Sequence, residues 1–321
     1  MSKIFLNIRF QLSALCFFVI ALVFYLRYKR LPTISNKIFT AMLSVTGINI
    51  VFDIITVYTV TYKDTVSPLL NRACHQIFIA SLITFVYLFY TYVFTITHKQ
   101  TSISMKIFFI NSLPFVISMF VVMFGTIEYH NKNSVIYSYG SMADAIYVSV
   151  TIYSFMILYN FVKFNSIISN EKKIAIIGAL LIEIMVGIIQ FSVKGFLVSG
   201  FGIVLMFTFI YFSLENPKEN IEPELGTFNK HALTTMLEEY FKLNKKFQIL
   251  IVSLDDLTTI NFRFGQKFGN QIIQNISDYL SKSLNAYVFH PQGKALCLIL
   301  NMDKEDAVCL LPFLMLFQSY H

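Results

Sequence analysis

The chain has 321 residues, of which 56% are hydrophobic and 13% are charged, and its formal net charge is +7. This composition excludes an ordinary soluble domain, in which about a quarter of the residues are charged. The positive charge does not indicate nucleic-acid binding, because Lys and Arg lie mostly in short segments between apolar runs and form no basic stripe. We therefore predict a protein of the lipid bilayer, with no nucleic-acid partner.

Apolar segments dominate the first 214 residues and predict an all-α polytopic membrane bundle of about seven helices. The predicted spans are residues 5–26, 38–58, 76–96, 107–124, 145–164, 174–191 and 201–214. Residues 125–144 are predicted to be the longest external loop. The first span is not expected to be a cleaved signal peptide, because the basic cluster at 27–30 follows it instead of a small-residue cleavage site.

Basic residues are more frequent in alternate loops, which predicts the orientation. One set of loops carries Arg27, Lys29, Arg30, Lys37, Lys99, Lys106, Lys163, Lys172 and Lys173. The other set carries Lys3, Arg9, Lys63, Arg72, Lys132 and Lys194. The positive-inside rule assigns the first set to the cytoplasm. Seven spans in the plasma membrane then leave the N-terminus outside and the C-terminal region in the cytoplasm.

Two ionisable residues, Asp53 and Glu183, fall inside the predicted spans. A charge at bilayer depth is costly, so such a residue is by default a functional candidate. The alternative is a packing role, in which each lies near a span end or pairs with a polar neighbour such as Asn49 or Gln190. Both interpretations remain open at this stage. The four cysteines show neither metal-ligand nor disulfide-framework spacing.

The composition changes after residue 214, which predicts a second domain. Residues 215–225 are a polar linker with two prolines. Residues 226–321 then alternate between helix and strand patterns. We predict a helix at 232–243, a buried strand at 249–252, a helix running from 260 to 280, a hairpin of 286–289 and 296–300, and a final helix at 303–319. The domain boundaries are therefore 1–214, 215–225 and 226–321.

The stretch QILIVSLDDLTTINFRFGQKFGN, residues 248–270, resembles the first strand and following helix of the GGDEF domain, the catalytic domain of diguanylate cyclases. Six spaced positions agree with the family pattern: Leu254, Asp255, Ile260, Asn261, Gly265 and Gly269. Residues 222–233 look like the family's opening motif and keep Gly226, Asn229 and Ala232. The resemblance implies an α/β (α+β) cytoplasmic domain that is incomplete at its C-terminus, and a truncated or decayed gene is one explanation of that end.

The residues that would carry the family's chemistry depart from its pattern. The signature loop falls on Gln292, Gly293, Lys294, Ala295 and Leu296, of which only Gly293 agrees. By resemblance, the two metal-ligand positions are Ser253 and Lys294, and the guanine-binding positions are Asn261 and Asn270. We expect no catalytic residue and no metal ligand here. The alternative is a rearranged metal site that uses Asp255 or Asp256.

The sequence thus predicts a membrane-bound, catalytically inactive signalling protein related to diguanylate cyclases. No cofactor is expected, and Mg²⁺ and GTP enter only with residual activity. The alternatives are an active diguanylate cyclase with a rearranged site, and a receptor-like or transporter-like protein with a vestigial tail. The resemblance also implies a homodimer through the C-terminal domain and a cytoplasmic signalling partner. The helical region is similar in architecture to the membrane sensor modules of bacterial GGDEF proteins.

Overall fold

The computed structural model describes residues 8–98, 105–132, 135–166, 168–193, 195–215 and 217–301. The chain divides into two compact units. The first comprises Met1–Tyr28 and Ile34–Asn216, and the second comprises Lys29–Thr33 and Pro217–His321. The predicted helix at 303–319 and the predicted loop residues Lys3, Lys99 and Lys194 lie outside the described residues.

In the part of the first unit that the structure describes, the chain forms seven apolar helices. They are α1 (Arg9–Arg27), α2 (Ile34–Thr61), α3 (Pro68–Thr97), α4 (Met105–Phe124), α5 (Ser141–Lys163), α6 (Asn170–Ser192) and α7 (Ser199–Leu214). Within the described residues, six helices are long and apolar enough to cross a membrane, and α7 is shorter, with 16 residues. At about 1.5 Å per residue, α7 measures about 24 Å, against about 30 Å of hydrocarbon. The prediction of about seven spans is corrected to six candidate spans.

This correction affects the predicted orientation. An odd number of spans places the two ends of a chain on opposite sides of a bilayer, and an even number places them on the same side. The prediction that the N-terminus lies outside depended on seven spans, so it loses that support.

Helix α3 forms the centre of the helical core. Over an apolar stretch of 18 residues in α3, 61% of the residues are buried, against 17% over the corresponding stretch of α1. The largest buried side chains around it are aromatic: Phe39, Phe85, Phe89, Tyr92, Tyr153 and Phe207. The exposed apolar face of α1 is what a helix in contact with lipid presents, since lipid tails solvate such side chains as well as a protein core does.

A β-hairpin interrupts the helices within the segment predicted as a long loop. Strand β1 (Glu128–Lys132) pairs antiparallel with β2 (Val135–Tyr139). The hydroxyl of Tyr139 donates to the Glu128 carboxylate at 2.6 Å, across the pair in which these two residues are register partners. The segment connects α4 and α5, as predicted, and it contains a hairpin that the prediction did not include. Aromatic and β-branched residues in short runs favour strands even between polar turns.

The second unit is an α/β domain, as predicted. Its strands are β3 (Phe228–Asn229), β4 (Phe247–Ser253), β5 (Tyr287–Gln292) and β6 (Ala295–Asn301), and its helices are α8 (Lys230–Lys242), α9 (Leu257–Phe264) and α10 (Gln266–Leu284). The sheet order is β3-β5-β6-β4; β3 is parallel to β5, and the other pairs are antiparallel. The core includes Leu257, Ile273, Leu280, Val288, Leu296 and Leu298.

Three details of this unit differ from the sequence prediction. The helix predicted from 260 to 280 is two helices that meet at Gly265, whose φ of +86° is one that glycine adopts readily. Strand β4 is only half buried, because it lies at the edge of the sheet among the described strands, and Ile251 on its outer face is 67% exposed. Within the predicted linker, Pro217–Asn220 forms a 3-10 helix, and Ile221 bridges to Phe228.

Candidate functional site

Asn229, which agrees with the family's opening motif, has a structural role at the start of α8. It is the N-cap residue of the helix, and its side-chain oxygen accepts a hydrogen bond from the backbone N–H of Ala232 at 3.0 Å. Its amide group donates to the Glu219 carbonyl at 2.7 Å. A cap of this kind satisfies a backbone donor that the helix itself leaves unpaired. Asn229 thus fixes where α8 begins.

The fold brings the two positions implied as metal ligands together. Ser253, the last residue of β4, is the register partner of Ala295, the first residue of β6. The two-residue turn before Ala295 is Gly293-Lys294, and the backbone N–H of Leu254 donates to the Lys294 carbonyl at 2.9 Å. Gly293 has a φ of +65°, which the first turn residue of a type II′ hairpin requires. The predicted hairpin is therefore confirmed at the signature loop.

The side chains at this position form an ion pair. The Nζ atom of Lys294 lies 3.6 Å from the Oδ1 atom of Asp255, and the Ser253 hydroxyl donates to the same oxygen at 3.0 Å. Both charged side chains are exposed, by 51% for Lys294 and 79% for Asp255. Asp256 immediately precedes α9, and its side chain makes no capping hydrogen bond.

This arrangement does not fit a divalent metal ion. Mg²⁺ and similar hard cations require several oxygen ligands, of which carboxylates are the strongest. Here the Asp255 carboxylate is paired with the Lys294 ammonium group, and the third side chain, Ser253, carries a neutral hydroxyl. Within the described ranges, no group of three or more His, Cys, Asp or Glu residues is placed to hold a metal ion.

The two asparagines at the implied guanine-binding positions lie on neighbouring helices. The Oδ1 atom of Asn261 on α9 is buried without a hydrogen-bond partner and packs against Gly269 of α10. A Cβ atom at position 269 would overlap that oxygen. Asn270 donates from Nδ2 to the Glu224 carboxylate at 2.8 Å. The Asn270 amide therefore already has a carboxylate partner within the protein.

Glu224 is a residue that the sequence analysis did not select. Its carboxylate accepts a hydrogen bond from the side-chain amide of Asn270. Its backbone carbonyl accepts one from the side-chain amide of Gln274 at 2.9 Å. The available signal was its place in the opening motif at 222–233, two residues before Gly226. The pairing itself joins residues 46 positions apart, so local sequence patterns do not reveal it.

Asp53 and Glu183, the two acids predicted to lie inside membrane spans, are both buried, with 4% exposure for Asp53 and 7% for Glu183. Asp53 accepts a hydrogen bond from the Gln11 side chain at 3.2 Å, and Glu183 accepts one from Ser154 at 3.0 Å. The neighbours suggested by the sequence bind elsewhere. Asn49 donates to Ser81 at 2.8 Å, and Gln190 accepts from the Val198 backbone at 3.0 Å.

Comparison with known proteins finds a family match within the second unit, which we therefore call the GGDEF unit. Residues 226–311 match the family model described as diguanylate cyclase, GGDEF domain. No curated protein and no solved structure shows significant similarity to the chain.

Proposed function

Residues 226–311 match the GGDEF family model, and six described helices before them are long and apolar enough to cross a membrane. From these two findings we propose that the chain is a membrane-bound signalling protein whose GGDEF domain makes no cyclic dinucleotide. The observation that carries this proposal is the ion pair between Lys294 and Asp255 beside Ser253. Lys294 stands at one of the two positions at which the family resemblance implies metal ligands, and Ser253 stands at the other.

The chemistry explains why this pair matters. Joining two GTP molecules requires a 3′-hydroxyl to attack an α-phosphate while metal ions neutralise the developing charge. An ammonium group repels a divalent cation, and its pairing with Asp255 competes with a metal ion for that carboxylate. An active site that uses Asp255 would first have to break this pair.

A domain without this chemistry transmits a signal by contact with another protein or by binding nucleotide without turnover. We place the domain in the cytoplasm, where GTP is present, and we propose a homodimer or a cytoplasmic signalling protein as its partner. Asn261 and Asn270 are the residues through which residual nucleotide binding would act.

The proposal is tested by restoring carboxylates at the two implied ligand positions. In the double variant Ser253→Asp and Lys294→Asp, Asp255 is released from its ammonium partner, and two further carboxylates surround it. We expect the purified full-length protein to bind no Mn²⁺ at this position and the double variant to bind it, measured by isothermal titration calorimetry. Lys246→Asp makes the same charge change as Lys294→Asp alone, just before the other end of β4, and is the control.

Two results would contradict this assignment. The first is Mn²⁺ binding by the unmodified protein that disappears in Asp255→Asn. The second is equal Mn²⁺ binding by the double variant and by the Lys246→Asp control, because carboxylates at any surface position would then suffice.

A further inference from the structure

The helical unit contains a cavity of about 200 Å³. Its wall is formed by α2, α3, α5, α6, strand β2, the first residue of α7 and the segment before α7. Aromatic side chains contribute much of the wall: Phe78, Tyr137, Tyr139, Tyr147 and Phe191. The rings of Tyr147 and Phe191 meet edge to face, with centroids 6.4 Å apart. The cavity therefore offers π surfaces to a bound molecule.

A buried carboxylate faces the same cavity. Asp53 lines the wall and is 4% exposed, and its Oδ1 atom accepts a hydrogen bond from the neutral amide of Gln11. Among the residues that the structure describes, neither Lys nor Arg lines the cavity, whereas a second acid, Asp144, does. A carboxylate removed from water without a cation is strongly disfavoured. Among the described residues of the wall, none carries the positive charge that would balance Asp53.

Unpaired acceptor atoms lie beside this carboxylate. The Nε2 atom of Gln11 donates hydrogen bonds to the Asp53 carboxylate and to the Leu197 carbonyl, and both of these residues line the cavity. The Oε1 atom of the same Gln11 amide is buried without a hydrogen-bond partner. The Oδ1 atom of Asn49 is also buried without a partner. His75, another wall residue, uses Nδ1 as the donor to the Asn71 carbonyl, so Nε2 of the neutral ring is an acceptor. The Asp53 carboxylate favours a ligand that brings positive charge, and the neutral acceptors favour one that also brings a hydrogen-bond donor.

We propose that this cavity binds a small organic cation, with the ammonium group against Asp53 and the aromatic wall around its alkyl groups. A cation over aromatic faces gains about 0.5–2 kcal/mol, and quaternary ammonium ions are recognised by such rings. An anion would meet Asp53 and Asp144 without a compensating charge. A neutral apolar ligand would leave the Asp53 carboxylate unpaired.

The position of the cavity suggests how the ligand acts. Asp53 and Asn49 lie against Gly200 in the first turn of α7, and no side chain at position 200 separates them from that helix. Helix α7 ends at Leu214, and the chain continues directly into the GGDEF unit at Pro217. The ligand assignment depends on the helical unit alone. Its role as the signal rests on the proposed function.

The test measures ligand binding directly, with no GTP present, so its outcome is independent of whether the GGDEF domain is active. Purified full-length protein in detergent is titrated calorimetrically with tetramethylammonium, with choline, and with the neutral isostere of choline in which a tert-butyl group replaces the trimethylammonium group. We expect the cations to bind and the isostere to bind more weakly by about tenfold or more.

Two variants locate the site. Asp53→Asn keeps the shape of the side chain and removes its charge, so it should weaken cation binding by about tenfold or more. Glu183→Gln makes the same change at the other buried acid, which bonds to Ser154 and does not line the cavity, and should leave binding unchanged. Should Asp53→Asn fail to fold, Phe191→Leu replaces one aromatic wall residue and should weaken only cation binding.

The proposal is overturned by any of three results: neither cation binds, the isostere binds as tightly as choline, or folded Asp53→Asn protein binds both cations as tightly as the unmodified protein.

Discussion

The carboxylates of the two candidate sites lie in opposite environments. In the helical unit, Asp53 and Glu183 are buried, and each accepts a hydrogen bond from a neutral side chain. In the GGDEF unit, Asp255 is mostly exposed and faces the ammonium of Lys294. A buried, uncompensated charge costs several kcal/mol, whereas an exposed ion pair contributes about 0–1 kcal/mol. The helical unit thus retains buried acids that lower its stability. The GGDEF unit carries an ion pair with little effect on stability, at a place where catalysis would need metal ligands.

This contrast indicates where the molecule retains specific chemistry. A buried carboxylate with little compensation is a functional candidate, because it destabilises the fold unless a ligand or proton balances it. The Lys294–Asp255 pair has no comparable cost. We therefore expect substitutions near Asp53 to have large effects on stability, and substitutions near Lys294 to have small ones.

The largest expected effect comes from filling the space beside Asp53. In Gly200→Ala, the added methyl group collides with the carboxylate of Asp53 and approaches the Asn49 carbonyl. We expect the free energy of unfolding of the helical unit to fall by about 3 kcal/mol, since overpacking a buried site costs about 1–3 kcal/mol. Thermal unfolding of the full-length protein in detergent, followed by circular dichroism, measures the change.

The matched control is Gly187→Ala in α6. No atom lies within 4 Å of a Cβ at that position, so the substitution meets open space. It should leave the unfolding temperature unchanged or raise it, because alanine favours a helix over glycine by about 1 kcal/mol. Equal losses for both variants would mean that the space beside Asp53 has no special role.

A smaller effect is expected at the asparagine pair of the GGDEF unit. Gly269→Ala places a methyl group on the buried side-chain oxygen of Asn261, and we expect a loss of about 2 kcal/mol. Adding Asn261→Ala removes that oxygen and should restore most of the loss. Urea unfolding of the single and double variants measures this coupling. If the losses in free energy of unfolding from the two substitutions simply add, a methyl group at position 269 and the Asn261 side chain do not clash.

The sequence predicted elements more successfully than contacts. Helix α8 and the β5–β6 hairpin follow from periodicity and turn residues, and both were located within a few positions. The break at Gly265 was missed because the apolar spacing of Ile260, Phe264 and Phe268 continues across it, although the backbone does not. The β1–β2 hairpin was missed because its polar residues resemble a loop.

The candidate sites were predictable only in part. Family resemblance identified Ser253, Lys294 and Asp255, and the fold brings them together as the register of β4 with β6 requires. The partner of Asp53 was not predictable, because Gln11 lies 42 residues away on another helix. The cavity was not predictable for the same reason. Its wall combines residues of six elements and of the segment before α7, and only tertiary packing brings them together.

Removing the cap of α8 should have a moderate effect. Asn229→Ala deletes the acceptor for the Ala232 N–H, and we expect the free energy of unfolding of the GGDEF unit to fall by about 1 kcal/mol. Asn229→Asp keeps the accepting oxygen and should retain most of the stability. Urea unfolding of the two variants makes the comparison. An equal loss of stability in both would assign the effect to the hydrogen bond that the Asn229 amide donates to the Glu219 carbonyl.

The smallest expected effect concerns the ion pair. Lys294→Ala should change the free energy of unfolding by less than about 1 kcal/mol, because an exposed pair is screened by solvent. The difference from the unmodified protein should shrink further in high salt. A loss of several kcal/mol that salt does not alter would show that the pair supports the fold.

The most direct test of the central claim is GTP turnover by the full-length protein in detergent, with Mg²⁺ or Mn²⁺ present and the products separated by chromatography. Because Lys294 neutralises Asp255 at the implied metal position, we expect no cyclic dinucleotide. Formation of that product by the unmodified protein, and its loss in Asp255→Asn, would contradict the account and identify Asp255 as a metal ligand.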